Sequence, residues 1–364
     1  MMRVVVVGGG LSGMLTAYEF VSAGCQVELL EQGTIGQESS WAGGGILSPL
    51  YPWRYPEAVT RLSRWSQERY PDLCERLAEA TGIDPEWTRS GLLMPDLDAS
   101  ERDKAILWAA QHDYDLEILS GEALYRCEPR LGAGYDRALW MAMVAQVRNP
   151  RLLQALRAAL HILGVTLREQ CHVDGFTTLG GQITGVEISG GETIGADRVV
   201  VTAGAWSARL LEATGIHLPI EPVLGQMIVF KGEPGLVRHI VLHQGRYVIP
   251  RRDGRVLVGS TLEHTGFNKH TTPEALADLR GTASRLIPEL SHLPVERHWA
   301  GLRPGTPDGV PFIGEHPHIG GLFLNAGHFR NGVVMGLAAA RLVADLVLGR
   351  EPILIPGAYA LPQG

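Results

Sequence analysis

The sequence predicts an α/β protein made of a parallel-sheet domain and an inserted antiparallel-sheet domain. Three observations carry this prediction. A strand, a glycine-rich turn, a helix and a second strand open the chain over residues 3–31, and a strand, a glycine turn and a long helix close it over 320–349. Between 216 and 299, apolar and polar residues alternate as they do in antiparallel strands. A chain of 364 residues is long for one core, so two domains are expected.

The first strand and the turn after it are typical of dinucleotide binding. Residues 3–7, RVVVV, are a continuous β-branched run, which indicates a strand buried on both faces. Gly8, Gly10 and Gly13 follow as G-x-G-x-x-G and lead into a helix. The first glycine permits a tight turn, the second a close approach to a pyrophosphate, and the third close packing of helix on strand. The N–H groups at the helix N-terminus favour the same anion.

Three further features support a dinucleotide site, and the second and third of them favour FAD. Glu31 ends the second strand, where a carboxylate can accept hydrogen bonds from the ribose hydroxyls of adenosine. A second glycine run, SSWAGGGILSP at 39–49, gives the longer flavin a second close approach of backbone, and Ser39 and Ser40 are suited to a phosphate. The turn GHFRNG at 327–332 precedes a helix whose N-terminus would stabilise negative charge on a reduced flavin.

Two long helices are predicted between these units. Residues 57–82 form one, with a break at Pro71, because proline lacks the N–H that a helix interior uses. Residues 149–164 form the other, with Asn149 as a candidate N-cap and Gly164 as its end.

A buried strand over 196–204 and a hairpin at Asp253–Gly254 complete the elements that the pattern predicts. The parallel-sheet domain is predicted to be built from residues 1–82, 140–215 and 300–364. The inserted, substrate-binding domain is predicted to be built from residues 83–139 and 216–299.

Composition and charge exclude several classes of function. The net charge of −7 argues against a nucleic-acid surface, which needs clustered Lys and Arg. The four cysteines are scattered without a C-x-x-C pair, so neither a zinc site nor a disulfide framework is predicted, and a reducing cytoplasm fits. The apolar stretch 333–349 contains Arg341 and Asp345, which indicates a helix packed on a sheet and no membrane span. His316 and His318 are interpreted as surface-loop histidines, and no metal site is predicted.

Arg303 is the main candidate for contact with a substrate. It lies in GLRPGTPDGVPFIG at 301–314, whose glycines and prolines indicate a tight, poorly hydrated turn. A cation in such a place costs free energy unless suitable partners meet it. Two interpretations are open: its planar fork binds an anion such as a carboxylate, or it bonds backbone carbonyls at a domain boundary.

The whole chain resembles the D-amino-acid oxidase family of FAD enzymes, and within that family it is most similar to the bacterial glycine oxidases of thiamine biosynthesis. The resemblance implies a Rossmann-like FAD-binding domain of the GR2 type. The pair GLRPGTPDG and GHFRNG is its most specific part. In the order of the family, the matching stretches are VVVVGGGLSG, SSWAGGGILSP, VVVTAGAWS, RYVIPRRDGRVLVGST, WAGLRPGTPDGVPFIG and NAGHFRNGVVMGLAAARLVADL.

The resemblance also implies roles for individual residues. FAD-contacting positions of the family are matched by Gly8, Gly10, Leu11, Ser12, Gly13, Glu31, Gln32, Ser39, Ser40, Gly44, Gly45 and Ile46, and the backbone position beside the adenine by Val173. The turn that faces the flavin is matched by His328, Phe329, Arg330, Asn331, Gly332, Val333 and Val334. The substrate-contacting positions are matched by Arg303, which clamps the carboxylate, and by Tyr247 and Arg330.

Each of the last two residues has a plainer interpretation beside the implied one. Tyr247 can donate its hydroxyl to the substrate carboxylate, or it is an ordinary half-buried strand tyrosine. Arg330 contacts the substrate, or it is only a cation at the turn. Two positions depart from the family pattern and leave the pocket size open: Trp41 is bulky for its glycine run, and Leu262 stands where a relative has methionine.

The activity that the resemblance implies is oxidative deamination of glycine and other small amines such as sarcosine and D-alanine. Hydride passes to a non-covalently bound flavin, the imine is hydrolysed to a 2-oxo acid and ammonia, and oxygen is reduced to hydrogen peroxide. In thiamine biosynthesis the glycine imine itself supplies the thiazole ring. The resemblance further implies a homo-oligomer, a homotetramer in relatives.

Rival functions remain open at this point. One is a D-amino-acid or sarcosine dehydrogenase that passes electrons to a quinone or another acceptor instead of oxygen. Sarcosine oxidases hold flavin covalently, but no cysteine here is placed to do so. A flavin domain that serves an RNA-modifying enzyme fits the acidic charge poorly. A flavin-binding scaffold without enzyme activity is the plainest alternative.

Overall fold

The chain forms two large β-sheets with helices packed against them, as a computed structural model shows for residues 1–362. The helices are α1 (Leu11–Ser22), α2 (Ser39–Ala42), α3 (Glu57–Thr81), α4 (Ala99–His112), α5 (Glu122–Cys127), α6 (Asn149–Ile162), α7 (Ser207–Glu212), α8 (Pro273–Leu286) and α9 (Gly332–Leu348). The strands are β1 (Arg3–Val7), β2 (Gln26–Leu30), β3 (Thr88–Arg89), β4 (Leu92–Pro95), β5 (Glu117–Ser120), β6 (Arg137–Met141), β7 (Ala145–Gln146), β8 (Thr166–Arg168), β9 (Val173–Leu179), β10 (Gln182–Ile188), β11 (Glu192–Gly195), β12 (Arg198–Val201), β13 (Glu221–Lys231), β14 (Ile240–His243), β15 (Arg246–Pro250), β16 (Arg255–Gly259), β17 (Val295–Gly305), β18 (Phe312–Glu315) and β19 (Leu322–Ala326).

The first large sheet has the order β18-β19-β12-β1-β2-β8, parallel except for the edge strand β18. The alternating side chains of β1 enter two different cores. Val4 and Val6 pack with α1, α3, α6 and α9, whereas Val5 and Val7 pack with the sheet of β9, β10 and β11. Both faces of β1 are therefore buried, which explains the unbroken run of valines and confirms the predicted parallel sheet.

The second large sheet has the order β17-β13-β16-β15-β14-β4-β6-β5 and is antiparallel except where β14 meets β4. This confirms the antiparallel part of the fold prediction. The predicted hairpin at Asp253–Gly254 joins β15 to β16, and Gly254 has φ +86°, which suits glycine. We propose that this sheet marks the inserted domain, although β17 continues beyond the predicted boundary at residue 299.

Two predictions about helices were wrong. Helix α3 is not broken at Pro71 but runs unbroken from Glu57 to Thr81. Packing on either side of the proline, by the fully buried Tyr70 and Leu73, outweighs the hydrogen bond that it removes. Asn149 is not the N-cap of α6 but its first residue, and its side-chain amide donates to the Ser40 carbonyl at 2.7 Å instead.

The stretch Phe329–Leu348 is long and apolar enough to cross a membrane by length and composition, but 72% of its apolar segment is buried inside the protein. Helix α9, its main part, packs on α1 and α3. Within it, the Arg341 Nε donates to the Asp345 carboxylate at 2.8 Å, as the i, i+4 spacing predicts. These contacts are those of a helix in a protein core.

Candidate active site

A cavity of about 510 Å³ opens where the parallel strands β1, β2, β12 and β19 end. Ligands of open α/β sheets bind at this edge. Its wall contains most of the predicted residues: Gly8, Gly10, Leu11, Ser12, Glu31, Gln32, Ser39, Ser40, Val173, Arg303, His328, Phe329, Arg330, Gly332 and Val333. The remaining predicted residues do not line this cavity: Gly13, Gly44, Gly45, Ile46, Tyr247, Asn331 and Val334.

The first glycine turn is packed too tightly for side chains. A Cβ on Gly8 would lie 2.6 Å from the Thr202 carbonyl oxygen, and one on Gly13 would lie 1.8 Å from the Gly8 oxygen. Gly13 therefore packs helix α1 on the turn instead of facing the cavity. The N-cap of α1 is Gly10, which has no side chain to accept a hydrogen bond from the first turn. The Leu11 N–H donates instead to the Ser40 hydroxyl at 2.9 Å. This places a serine hydroxyl at the end of the helix where an anion is favoured.

Glu31 lies in the cavity wall just after β2 and is 8% exposed. Its two carboxylate oxygens accept the N–H groups of Gly9 at 2.7 Å and Gly33 at 2.8 Å. These contacts fix the carboxylate and leave lone pairs on each oxygen for a ligand. Val173, the predicted neighbour of the adenine, lies in the same wall.

The second glycine turn is held by hydrogen bonds from two other segments of the chain. The Arg251 Nη2 donates to the Gly44 carbonyl at 2.9 Å, and the Val147 N–H donates to the Gly45 carbonyl at 2.9 Å. Tyr247 and Ile249 of β15 contact Gly44, since a Cβ there would lie 3.2 Å from Tyr247 Cε2 and 2.7 Å from Ile249 Cδ1. Sequence reasoning missed Arg251, because its surroundings, PRRDGR, resemble an exposed hairpin.

Arg303 lies on the long strand β17, and not in a tight turn as predicted. Its Nη2 donates to the Ser260 hydroxyl at 2.7 Å and its Nη1 to the Thr261 carbonyl at 3.3 Å. Burial lowers the pKa of this guanidinium, and the nearby charge of Arg330 lowers it further. Within residues 1–362 its hydrogen-bond acceptors are neutral oxygens and no carboxylate pairs with it, so Arg303 and Arg330 bring two positive charges to the cavity wall.

Tyr247 and Arg330 approach the same end of the site. The Tyr247 side chain is 7% exposed and lies near Arg303, and its hydroxyl donates to the Met227 sulfur at 3.7 Å. Arg330 donates from Nη2 to the Gly245 carbonyl at 3.2 Å, at the tip of the β14–β15 hairpin. Arg330 is therefore tied to the hairpin that leads to Tyr247, while its own side chain lines the cavity.

The turn before α9 contains buried polar atoms that lack protein partners. In the described part of the chain, these include His328 Nε2 and both side-chain polar atoms of Asn331. Burial lowers the pKa of His328 to about 4, so its ring is neutral at physiological pH. Phe329 between them adopts φ +46°, a left-handed conformation that is unusual for phenylalanine. Unpartnered polar atoms beside a cavity indicate a ligand with polar groups of its own.

The two departures from the family pattern lie away from the cavity wall. Trp41 packs edge-on against Trp299, with 5.8 Å between ring centroids, and the Arg297 guanidinium lies 4.4 Å from its ring centroid. Leu262 is 43% exposed.

The prediction that both His316 and His318 are surface histidines was wrong for His316. His316 is not on the surface but is 4% exposed, and its Nδ1 accepts the N–H groups of His318 and Ile319. Over residues 1–362, no group of three or more potential metal ligands comes together, and the four cysteines are free thiols.

Comparison with known proteins identifies the family. A sequence profile described as "DAO: FAD dependent oxidoreductase" matches residues 3–346. The chain belongs to this family. The glycine oxidase of Pseudomonas putida is 51% identical over 363 residues, which cover 100% of this chain and 98% of that protein. The "Bifunctional protein ThiO/ThiG" of Trichormus variabilis is 31% identical over 357 residues, covering 96% of this chain and 54% of that protein.

The fold is also that of a solved structure of a related enzyme. A crystal structure of glycine oxidase from Geobacillus kaustophilus matches with a TM-score of 0.94 and 29% identity, covering 100% of both chains. The comparisons confirm the predicted family, the α/β fold class and FAD as the cofactor of this FAD-dependent oxidoreductase family.

The site fits FAD. The cavity runs from Glu31, at the end where ribose is expected, past the N-terminus of α1 to Arg303 and the turn before α9. The unpartnered His328 nitrogen and the close-packed glycine turn are features that a bound dinucleotide would use. The individual contacts stay predictions.

Proposed function

We propose that this protein is a glycine oxidase that also accepts small amines such as sarcosine and D-alanine. The observation that carries the proposal is Arg303, a partly buried cation in the cavity wall. Its hydrogen bonds go to the neutral oxygens of Ser260 and Thr261. The name of the Pseudomonas putida relative, at 51% identity, supports the same reaction.

The residues of the chain bind and orient the amino acid. Arg303 holds the substrate carboxylate through two parallel N–H donors, and the Tyr247 hydroxyl donates to the same carboxylate. Arg330 adds a second positive charge that favours the anion and, through the Gly245 carbonyl, supports the hairpin of Tyr247. These contacts leave the amine and the Cα–H of the substrate directed away from Arg303.

FAD would be held by the first glycine turn, Glu31, Ser39 and Ser40, with the turn from His328 to Val334 at the flavin ring. The chemistry that FAD supplies when bound is two-electron oxidation of the amine to an imine, with oxygen as final acceptor and hydrogen peroxide as its product. The protein supplies position and electrostatics. Water hydrolyses the released imine to a 2-oxo acid and ammonia. Since one relative is named ThiO/ThiG, the glycine imine is proposed to serve thiazole formation in thiamine biosynthesis.

An anaerobic titration tests the activity. The purified yellow holoenzyme is mixed without oxygen with glycine, sarcosine, D-alanine or L-alanine, and the flavin absorption band is followed before and after air is admitted. Bleaching by glycine with rapid return in air supports the oxidase. Bleaching without return in air overturns it in favour of a dehydrogenase that uses a quinone or another acceptor. No bleaching by any of the amines overturns the substrate class.

The substrate clamp is tested by Arg303→Lys. Lysine keeps the charge but loses the planar fork, so the KM for glycine is expected to rise at least about 100-fold while FAD content is unchanged. Arg297→Lys is the matched control, because Arg297 is an exposed residue of the same strand and packs on Trp41. An unchanged KM in Arg303→Lys removes Arg303 from the substrate site.

The proposal includes a homotetramer, as the family resemblance implies, and a location in the reducing cytoplasm, which the four free thiols support. Light scattering coupled to size-exclusion chromatography tests the assembly, and a monomer of 39.5 kDa in solution contradicts it.

A further inference from the structure

Arg251 is a buried cation that forms no salt bridge with a carboxylate among residues 1–362 and lies outside the substrate clamp. It follows β15 directly and is 7% exposed. Its Nη1 donates to the Gln146 side-chain oxygen and, at 3.0 Å, to the Val147 carbonyl, and its Nη2 donates to the Gly44 carbonyl at 2.9 Å. Burial lowers its pKa only to about 10, so it stays charged at neutral pH. A cation buried among neutral oxygens is costly because it loses the solvation of water, and the charges of Glu86 and Asp253 offset part of that cost.

Two acceptors of Arg251 adjoin Gly45: the Gly44 carbonyl precedes it in the chain, and the Val147 carbonyl packs against its Cα. Gly45 has φ +75°, and a Cβ on it would lie 2.1 Å from the Val147 carbonyl oxygen. The Val147 N–H in turn donates to the Gly45 carbonyl at 2.9 Å. The planar guanidinium of Arg251 thus links two separate segments of the chain, because it donates to the Gly44 carbonyl in one and to the Val147 carbonyl in the other.

The strand that leads to Arg251 also carries Tyr247. A Cβ on Gly44 would lie 3.2 Å from Tyr247 Cε2 and 2.7 Å from Ile249 Cδ1, so β15 and the glycine turn are in direct contact. A shift of the Gly44 backbone towards β15 would therefore displace the ring of Tyr247. The start of β15 is held separately, by the bond from Arg330 to the Gly245 carbonyl at 3.2 Å.

We propose that Arg251 is a positioning residue that fixes the Gly44–Gly45 turn and thereby sets the spacing between bound FAD and the Tyr247 hydroxyl. As far as it concerns substrate, this inference rests on the proposed function. As far as it concerns FAD, it rests on the segment that leads into the turn, because Ser39 and Ser40 line the cavity whereas Gly44 and Gly45 lie behind its wall. Lysine cannot replace Arg251, because one ammonium does not reach three acceptors that lie in a fan.

The test compares Arg251→Lys with Arg252→Lys as the matched control. Arg252 is the adjacent residue, is exposed, and pairs with Asp84 at 2.7 Å. Five quantities are measured: the Kd of the apoprotein for FAD, the absorption spectrum of the bound flavin, the melting temperature of the holoenzyme, and the kcat and KM for glycine. The first three need no substrate, so they decide the FAD part of the inference even if glycine is not oxidised.

Arg251→Lys is expected to raise the Kd for FAD about tenfold and to change the flavin spectrum. It is expected to lower kcat about 10- to 100-fold with KM within about threefold, because Arg303 still binds the carboxylate while the reacting atoms are misplaced. The control is expected to match the wild type. A variant that melts earlier but keeps the wild-type Kd, spectrum and kcat overturns the inference, since Arg251 is then merely structural.

A second variant approaches the same turn from the opposite side. Gly44→Ala places a methyl group 2.7 Å from Ile249 Cδ1 and leaves Arg251 intact. It is expected to show the same combination of a changed flavin spectrum and a kcat that falls more than KM rises. If Arg251→Lys does not fold, Gly44→Ala decides alone: an unchanged spectrum and kcat overturn the inference.

Discussion

The guanidinium of Arg303 lies directly against the Cα of Gly225 on the neighbouring strand. A Cβ built on Gly225 would lie 2.0 Å from Arg303 Nη1 and 2.1 Å from Nη2. Gly225 pairs with Gly301 in the β13–β17 ladder, so Arg303, two residues further along β17, reaches diagonally across β13. The absence of a side chain at Gly225 therefore determines where the fork of Arg303 can lie.

Gly225→Ala is expected to raise the KM for glycine about 10- to 100-fold, because the added methyl group forces the guanidinium away from its present position. The strand itself should not suffer, since alanine in a strand costs no more than glycine. Steady-state kinetics give KM, and an FAD titration of the apoprotein, expected to match the wild type, shows that the cofactor site is intact.

Gly175→Ala is the control for a glycine-to-alanine change within a strand. The nearest atom to a Cβ on Gly175 is a Glu187 carboxylate oxygen at 3.8 Å, which is an ordinary contact. If both variants have the wild-type KM, the position of Arg303 does not matter for glycine binding.

Tyr247→Phe is expected to raise the KM for glycine about 5- to 20-fold with little change in melting temperature. The hydroxyl meets the Met227 sulfur at 3.7 Å, a weak acceptor, so its removal leaves no strong buried acceptor unpaired. Tyr359→Phe gives the opposite pattern as a control, because the Tyr359 hydroxyl donates to the Ala58 carbonyl at 2.9 Å and neither residue lines the cavity. That variant should melt earlier with an unchanged KM. A Tyr247→Phe enzyme with the wild-type KM would leave Tyr247 as an ordinary strand tyrosine.

Glu31→Gln is expected to raise the Kd for FAD at least about tenfold. The carboxylate accepts N–H groups with both oxygens, at 2.7 Å from Gly9 and 2.8 Å from Gly33, and a carboxamide can accept only one of them. The other N–H then faces an NH₂ group, which disturbs the first glycine turn as well as the ribose contact. Fluorescence titration of the apoprotein with FAD measures this Kd.

Glu28→Gln is the control for the loss of a carboxylate in the same strand. Glu28 pairs with Arg168 at 3.4 Å and does not line the cavity. Equal FAD affinity of the two variants would argue that Glu31 shapes no part of the cofactor site.

The parts of the fold that the sequence predicts well are local. The run of valines in β1, the glycines after it and helix α1 are neighbours in the chain, so their pattern determines one compact unit. Helix α3 shows the limit of such reasoning. Its proline predicted a break, but the break is prevented by tertiary packing of Tyr70 and Leu73, which no local pattern reveals.

The site was predictable where a residue was unusual for its surroundings. Arg303 stood out as a cation among apolar residues, whereas Arg251 stood among polar neighbours and looked solvated. The partners of Arg251, Gly44 and Val147, are distant in the chain, and only the fold brings them together. Gly225 was missed for the same reason, since nothing near it in the sequence shows that Arg303 lies against it.

His328 predicts how the stability of the protein depends on pH. Burial lowers its pKa from the ordinary 6.5 to about 4, and its Nε2 has no protein partner among the described residues. At a pH between these two values, the unfolded chain binds a proton at this histidine and the folded protein does not. Stability is therefore complete above pH 6.5 and decreases as the pH falls towards 4.

The expected loss from His328 is about 2 kcal/mol of unfolding free energy as the pH falls from about 7 to about 5. Burial also lowers the pKa values of His298 and His316, which add to the loss in the same direction. Urea unfolding of wild type and His328→Gln across this range isolates the contribution of His328, because glutamine does not titrate and the other histidines are common to both. The free energy of the variant should fall less steeply with decreasing pH. Parallel curves would mean that His328 is protonated equally in the folded and unfolded states, and that its ring reaches solvent or an acceptor in solution.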